Sequence, residues 1–382
     1  MMRSPPLRLL GNLLRGSLPL ASSLLAGCFD SGPRLNEIQV LGTHNSYHIQ
    51  PRAALLGAIA SFEPELAATL EYTHLPLREQ LERGARQLEI DVYADPAGGH
   101  YARRAGLLAI GQDPSSGLAE LNAPGLKVLH IQDLDFETHC LSFVACLQTI
   151  RGWSREHPTH VPLMIMIEAK QDPIDDPLGL GFAVPVPFGP AELDSIDAEI
   201  RSVFSDADRI TPDDVRGGAE TLERAVLEHG WPSVLESRGR VMFSLLNGDA
   251  TRDGYIEGHP SLAGRVMFTT SPVGTPEAAF FNVNDARADP SRIAELVAAG
   301  YLVRTRADID TIEARSGDTS LQAAAFASGA QFVSTDYLAP NPAFGTGYVA
   351  ALPGGSPVRC NPLAERHACD ASRVGLLEAA LP

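Results

Sequence analysis

Short runs of β-branched and long aliphatic residues recur along the chain with helical periodicity between them. The apolar runs read as strands at residues 37–43, 85–92, 126–132, 162–168, 240–246, 265–270, 301–305 and 331–335. Several are apolar on both faces, as over 161–167, which fits parallel strands covered from both sides. Apolar residues three and four apart place helices at 75–84, 141–156, 190–204, 219–229, 290–299 and 319–328. In the first, Leu77 and Leu81 share one face and Gly84 stops the helix; in the second, Phe143, Val144, Leu147 and Ile150 form the stripe. Eight strands alternating with helices predict an α/β fold, a (β/α)8 TIM barrel forming one domain over residues 35–340.

Two stretches fall outside that minimal pattern. Residues 171–189 are rich in proline and glycine and too irregular for one element. They follow the fourth predicted strand, so in a barrel they rise from the face that carries active sites, either as an apolar rim or as an insertion packed on the surface. The tail, 341–382, is expected to wrap the barrel and to be pinned by Cys360 and Cys369.

The N-terminus reads as an export signal: Arg3, Arg8 and Arg15 precede a moderately apolar run, with no acidic residue before Asp30. Leu25-Ala26-Gly27-Cys28 resembles the bacterial lipobox, which predicts a signal over 1–27 and a lipid-bearing Cys28 as mature N-terminus. The expected location is the bacterial cell envelope, anchored at Cys28, or the exterior after secretion. With Cys28 set aside, Cys140, Cys146, Cys360 and Cys369 make an even set, which in an exported chain predicts two disulfides. The local pairs are expected, Cys140 with Cys146 and Cys360 with Cys369. Six residues within a helix rise about 9 Å, beyond disulfide reach, so Cys140 must precede the helix that carries Cys146.

With 382 residues, 44% hydrophobic and 20% charged, the chain can build a generous core. The formal charge of −17 argues against nucleic acid as a partner and gives no electrostatic attraction to an anionic membrane. Membrane contact is then left to the lipid anchor or to apolar loops, and a monomer is expected.

The ionisable residues gather where predicted strands end. Val40-Leu41-Gly42-Thr43-His44-Asn45 carries a histidine suited to general-base work and an amide oxygen suited to a hard cation. Glu89 and Asp91, two apart on one strand, face the same side, where two unpaired negative charges are costly and a metal ion removes the difficulty. Glu168 and Lys170 share a side at the end of another strand, their alternative being a buried salt bridge. Asn45, Glu89, Asp91 and Glu168 together are an all-oxygen ligand set, which suits Ca2+ ahead of Mg2+ or Mn2+ and does not suit zinc. His130, within Val128-Leu129-His130-Ile131-Gln132-Asp133, is the second acid/base candidate, with His100 in a Gly-Gly loop as its rival.

His44-Asn45, Glu89-x-Asp91, His130 and Glu168, in that order on four successive predicted strands, resemble the catalytic half of the calcium-dependent phosphoinositide-specific phospholipases C, most closely the secreted bacterial branch. The resemblance covers nearly all of the mature chain. It implies His44 as general base, His130 as general acid, and Asn45, Glu89, Asp91 and Glu168 as calcium ligands. The implied reaction is attack of the inositol 2-hydroxyl on the adjacent phosphodiester, releasing diacylglycerol and a cyclic inositol phosphate. Lys170 and Arg304 become phosphate or inositol contacts, with Arg306 on the same strand side as Arg304. Residues 329–337 and the Glu168-Ala169-Lys170 triplet also resemble glycerophosphodiester phosphodiesterases. A lipid-anchored inositol- or sugar-binding protein without turnover is the reading from a different class, and the pair of histidines argues against it.

Overall fold

Side chains that alternate between helix-packing aliphatics and inward polar groups set the central strands of this protein. In the computed structural model, which describes residues 32–363, 369, 370, 374 and 378, all six side chains of Gln87–Val92 are buried. The expected signal over 1–27 and Cys28 lie outside the described residues. The described strands are β1 (Ile38–Thr43), β2 (Gln87–Val92), β3 (Leu163–Ala169), β4 (Arg209–Ile210), β5 (Val241–Leu245), β6 (Met267–Thr269), β7 (Phe280–Asn282), β8 (Leu302–Arg306), β9 (Phe332–Thr335) and β10 (Val358–Cys360).

They build a mixed α/β fold around a curled parallel sheet whose hydrogen-bonded path is β4-β5-β3-β2-β1-β9-β8-β7, with β6 pairing β5. β10 is the exception to parallel pairing: it runs antiparallel to β1, with Val358 opposite Val40. Just past β6, a parallel bridge joins Thr270 to Phe280, the first residue of β7. β2 and β3 lie side by side with Asp91 opposite Glu168, and β8 and β9 with Arg306 opposite Ser334. At the β1–β2 contact Gly42 is opposite Gln87, and a Cβ at position 42 would fall 2.1 Å from the Gln87 amide oxygen. Only glycine permits that approach.

Seven of the eight predicted strands form, and 126–132 does not. This segment lies antiparallel across the end of β2, where Tyr93 and Lys127 exchange hydrogen bonds of 2.8 and 2.9 Å, and then turns sharply between Ile131 and Asp135. Leu126, Val128 and Leu129 are buried within a long excursion between β2 and β3, so their burial imitated a sheet strand. The short β7, ending at Asn282, takes a place along the sheet that sequence periodicity did not reveal.

Helices α1 (Ala53–Phe62), α2 (Pro64–Thr69), α3 (Leu77–Glu82), α4 (Phe143–Glu156) and α5 (Pro190–Val203) precede β4 in the chain. The first two lie in a stretch that carried no prediction. Phe143, Leu147, Ile150 and Trp153 of α4 are buried, and the Ser142 hydroxyl caps it by accepting from Ala145 N. Pro290–Ala299 and Ser320–Ala327 also form helices where the periodicity placed them. No helix among the described residues is long and apolar enough to cross a membrane.

Both expected disulfides are present, Cys140–Cys146 and Cys360–Cys369, with Cα separations of 5.4 and 5.7 Å. Cys140 stands before the cap of α4, as the helical rise required. In the tail, the Glu378 carboxylate accepts from Arg86 Nε at 2.8 Å, just before β2.

Candidate active site

The turn after β1 is held from below. Thr43 Oγ1 lies 2.6 Å from Ser46 Oγ and 2.7 Å from Gln80 Oε1, while Ser46 Oγ accepts from Glu89 N at 2.8 Å. Asn45 sits at φ 45°, a left-handed conformation that asparagine tolerates better than most residues, and this aims consecutive side chains in different directions. His74 Nε2 contacts the His44 carbonyl at 2.7 Å. Ser46 and His48, which carried no sequence assignment, are therefore parts of a built platform.

His44 Nδ1 lies 3.0 Å from Asp336 Oδ1, and Arg306 donates to the other Asp336 oxygen at 2.8 Å. Burial opposes ionisation of Asp336, yet His44 and Arg306 hold its carboxyl well below the usual carboxylate range. An ionised Asp336 accepts a hydrogen bond from His44 Nδ1–H, which leaves Nε2 as the basic atom of His44. Burial first, and Arg306 second, lower the His44 imidazole to about 4 against the opposing pull of Asp336 and Glu89. At neutral pH His44 is an uncharged proton acceptor. Its Nε2 stands 3.8 Å from Glu89 Oε1.

Carboxylate oxygens of Glu89, Asp91 and Glu168 all lie within 4.8 Å of one another. Arg304 donates to Glu89 Oε2 at 2.7 Å, and Lys170 Nζ is 3.3 Å from Glu168 and 3.6 Å from Asp91. Two cations therefore offset three carboxylates only in part. Neither Asp91 oxygen accepts a hydrogen bond of good geometry, the Tyr47 hydroxyl and Lys170 Nζ being neighbouring donors, and burial pushes its carboxyl well above the usual range. Asn45 spends its Nδ2 on Tyr72 OH at 3.1 Å, so its buried Oδ1 also has no partner. Buried acceptor oxygens without a hydrogen bond of good geometry, arranged beside clustered carboxylates, fit a hard divalent cation such as calcium.

His130 stands on the excursion, not on a sheet strand. Its Nδ1 is 2.8 Å from Asp135 Oδ2, and the same oxygen is 2.7 Å from Nε2 of the buried His48. Burial disfavours ionised Asp135, but His48 and His130 together keep its carboxyl below the usual range. His48 stacks on Tyr72 at 4.1 Å between ring centroids, so its plane is fixed. Tyr93 OH donates to the His130 carbonyl at 3.0 Å.

A cavity of about 420 Å3 is lined by His44, Asn45, His130, Glu168, Lys170 and Arg306, among others. Glu89 and Asp91 sit behind it with their carboxylates in the Glu168 cluster. Two sequence candidates lie elsewhere. His100 is on the exposed excursion with Nε2 2.7 Å from the Val184 carbonyl, and Arg304 is buried behind Glu89 with Asn282 and Asn284 on its guanidinium. Arg306, two residues on, reaches the cavity wall in its place. Asp336, Asp135 and His48 escaped sequence reasoning. Asp336 follows β9 directly, so the strand-end rule could have found it, but nothing local marks Asp135 or His48.

The family model described as phosphoinositide phospholipase C, Ca2+-dependent, matches residues 33–362. No curated protein sequence matches the chain. Among solved structures, the chain is similar to a calcium-dependent phosphoinositol-specific phospholipase C from a Gram-negative bacterium, Pseudomonas sp. The identity is 16% and the TM-score 0.52, over 87% of this chain and 96% of that one. A myo-inositol complex of the Pseudomonas protein gives the same values of 16% and 0.52 over the same shares, 87% and 96%. A Ca2+-dependent phosphatidylinositol-specific phospholipase C from Streptomyces antibioticus is 20% identical at TM-score 0.49, over 82% of this chain and 97% of its own.

Proposed function

The chain belongs to the Ca2+-dependent phosphoinositide phospholipase C family, and we propose from that premise how its own residues carry out the cleavage. It is a calcium-dependent phosphodiesterase, and its substrate on this reading is phosphatidylinositol or a related inositol lipid. His44 Nε2 accepts the proton of the inositol 2-hydroxyl as that oxygen attacks phosphorus, and Asp336 stabilises the imidazolium that forms. His130 gives a proton to the departing glycerol oxygen, with Asp135 and His48 holding its ring. The products are diacylglycerol and a cyclic inositol phosphate. Asn45, Glu89, Asp91 and Glu168 would hold the calcium, and the bound ion would supply charge neutralisation at the phosphoryl group and a lowered pKa for the attacking hydroxyl. Arg306, 3.5 Å from His44 Nε2, and Lys170 are the phosphate contacts.

The observation that carries this reading is the joining of two carboxylate-backed histidines and an oxygen-only cluster with unpaired oxygens in one cavity. Closure of the sheet into a complete (β/α)8 barrel belongs to the same proposal and is supported by the Thr270–Phe280 bridge between the β6 and β7 edges. Export is supported by the two disulfides. Anchoring through Cys28 rests on the lipobox-like sequence, and action as a monomer completes the proposal. Phosphorus NMR of products formed from phosphatidylinositol, with calcium and with chelator, tests the activity. A cyclic inositol phosphate formed only with calcium is the expected result. Glycerol 3-phosphate released from deacylated glycerophosphoinositol, with phosphatidylinositol left intact, would favour the glycerophosphodiesterase reading instead.

A further inference from the structure

Beside the catalytic cavity lies a second one of about 420 Å3, within the range of about 300–1,000 Å3 typical of small-ligand sites. Its walls come from α1 and α2, the 3-10 segment Ala105–Ile110, the turn that follows His130, and the irregular loop 171–189. Leu55, Ile59, Leu134, Leu180 and Phe182 make most of the surface, and none of its lining residues is basic. Of the three acidic residues at its edge, Glu63 and Asp175 are exposed. The third, Asp176, turns its carboxylate onto the backbone N–H groups of Leu180, Gly181 and Phe182, so it shapes the loop and leaves the wall apolar.

The cavity is preformed. Asp133 accepts from Ala105 N and Ala183 N, each at 2.6 Å, which joins the 3-10 segment Ala105–Ile110 to the loop. Arg103 donates to the Gly181 and Leu180 carbonyls at 2.7 and 2.9 Å. The loop is thereby fastened at several points over α1.

Leu66, Ile131 and Ile174 line both cavities, so the two lie side by side with these apolar side chains at their shared border. Ile131 directly follows His130, the residue placed at the departing glycerol oxygen. We propose that this second cavity receives one acyl chain of the substrate, carried there because the glycerol side of the scissile bond points past His130 toward Ile131. This rests on the proposed phospholipase activity. It makes the chain length of a single, dispersed lipid a determinant of rate, independent of any lipid surface.

The test uses monomeric phosphatidylinositols with acyl chains of four, six and eight carbons, each below its micelle threshold, and a chainless aryl phosphodiester of inositol. For each enzyme the reading is kcat/KM on the eight-carbon lipid divided by that on the chainless compound. Wild type should show a ratio rising with chain length. Ala58→Phe, which fills the cavity, and Ala109→Trp, at its exposed lip, should each lower the eight-carbon ratio at least tenfold. An unchanged ratio in both folded variants overturns the proposal, as does a chain-length gain that appears only above the micelle threshold, where the walls would be meeting a lipid surface. If wild type with calcium leaves the chainless compound intact, the activity reading fails separately. Binding of the apolar dye N-phenyl-1-naphthylamine then decides the cavity: loss in Ala58→Phe supports it, and equal binding in wild type and Ala58→Phe overturns it.

Discussion

His44 Nδ1 and Asp336 Oδ1 stand 3.0 Å apart, joining the first strand's exit turn to the residue that follows β9. Asp336 is buried while His44 faces the cavity half-buried, and Arg306 keeps the Asp336 charge in place from the other side. Its effect is to fix one tautomer and one ring orientation of His44. Asp336→Asn should therefore lower kcat by about 10²-fold and His44→Ala by about 10²- to 10⁴-fold on a soluble substrate, with calcium affinity retained. Steady-state rates with a calcium titration measure both. Wild-type kcat in folded Asp336→Asn would remove Asp336 from the mechanism.

Asp91 carries two buried oxygens without a hydrogen bond of good geometry beside Glu168. In chelator that arrangement is unfavourable, so Asp91→Asn should raise the melting temperature of the calcium-free protein. Wild type should gain stability on calcium binding, about 2.7 kcal/mol at a concentration one hundred times Kd, and Asp91→Asn should gain little. Thermal unfolding with and without calcium measures this. Equal calcium-induced shifts in both proteins would count against Asp91 as a ligand.

Asp135 Oδ2 serves His48 and His130 at once, at 2.7 and 2.8 Å. His48→Ala removes one support of that carboxylate without touching the cavity wall. The expected loss in kcat is up to about 10²-fold, with KM nearly unchanged, since a misplaced acid weakens the chemical step more than binding. His48→Gln, which can still donate to Asp135, should recover part of the rate. If the rate loss is instead found in KM alone, the positioning role is wrong.

Away from the site, His160 is buried with Nε2 2.9 Å from Ser154 Oγ and Nδ1 2.6 Å from the Val161 carbonyl. Burial is the main cause that lowers its pKa from 6.5 to about 4. The unfolded chain binds that proton first, so the contribution of His160 is fully present above pH 6.5 and declines as pH falls toward 4, by at most about 3 kcal/mol. His160→Gln should flatten the pH dependence of the melting temperature across that window. An identical slope in wild type and variant would locate the acid sensitivity elsewhere.

Periodicity and strand-end chemistry determined much of this protein before any coordinates. Apolar runs and helical stripes placed β1, β2, β3 and the helix Pro290–Ala299, because those elements are buried by their own sequence pattern. Strand alternation alone put Glu89 and Asp91 on one side, and local spacing paired the cysteines. Tertiary structure decided the rest. The stretch 126–132 has a strand's composition, but its backbone partner is Tyr93 at the end of β2, so His130 arrives on a loop that crosses the sheet. Arg304 and Arg306 face the same way, and only packing sends one to Glu89 and the other to the cavity. His48 is far in the chain from Asp135, and Asp336 from His44, although Asp135 itself follows His130 by five residues. Contacts across 87 and 292 positions leave no local trace, because nothing in the neighbouring residues must change to make them.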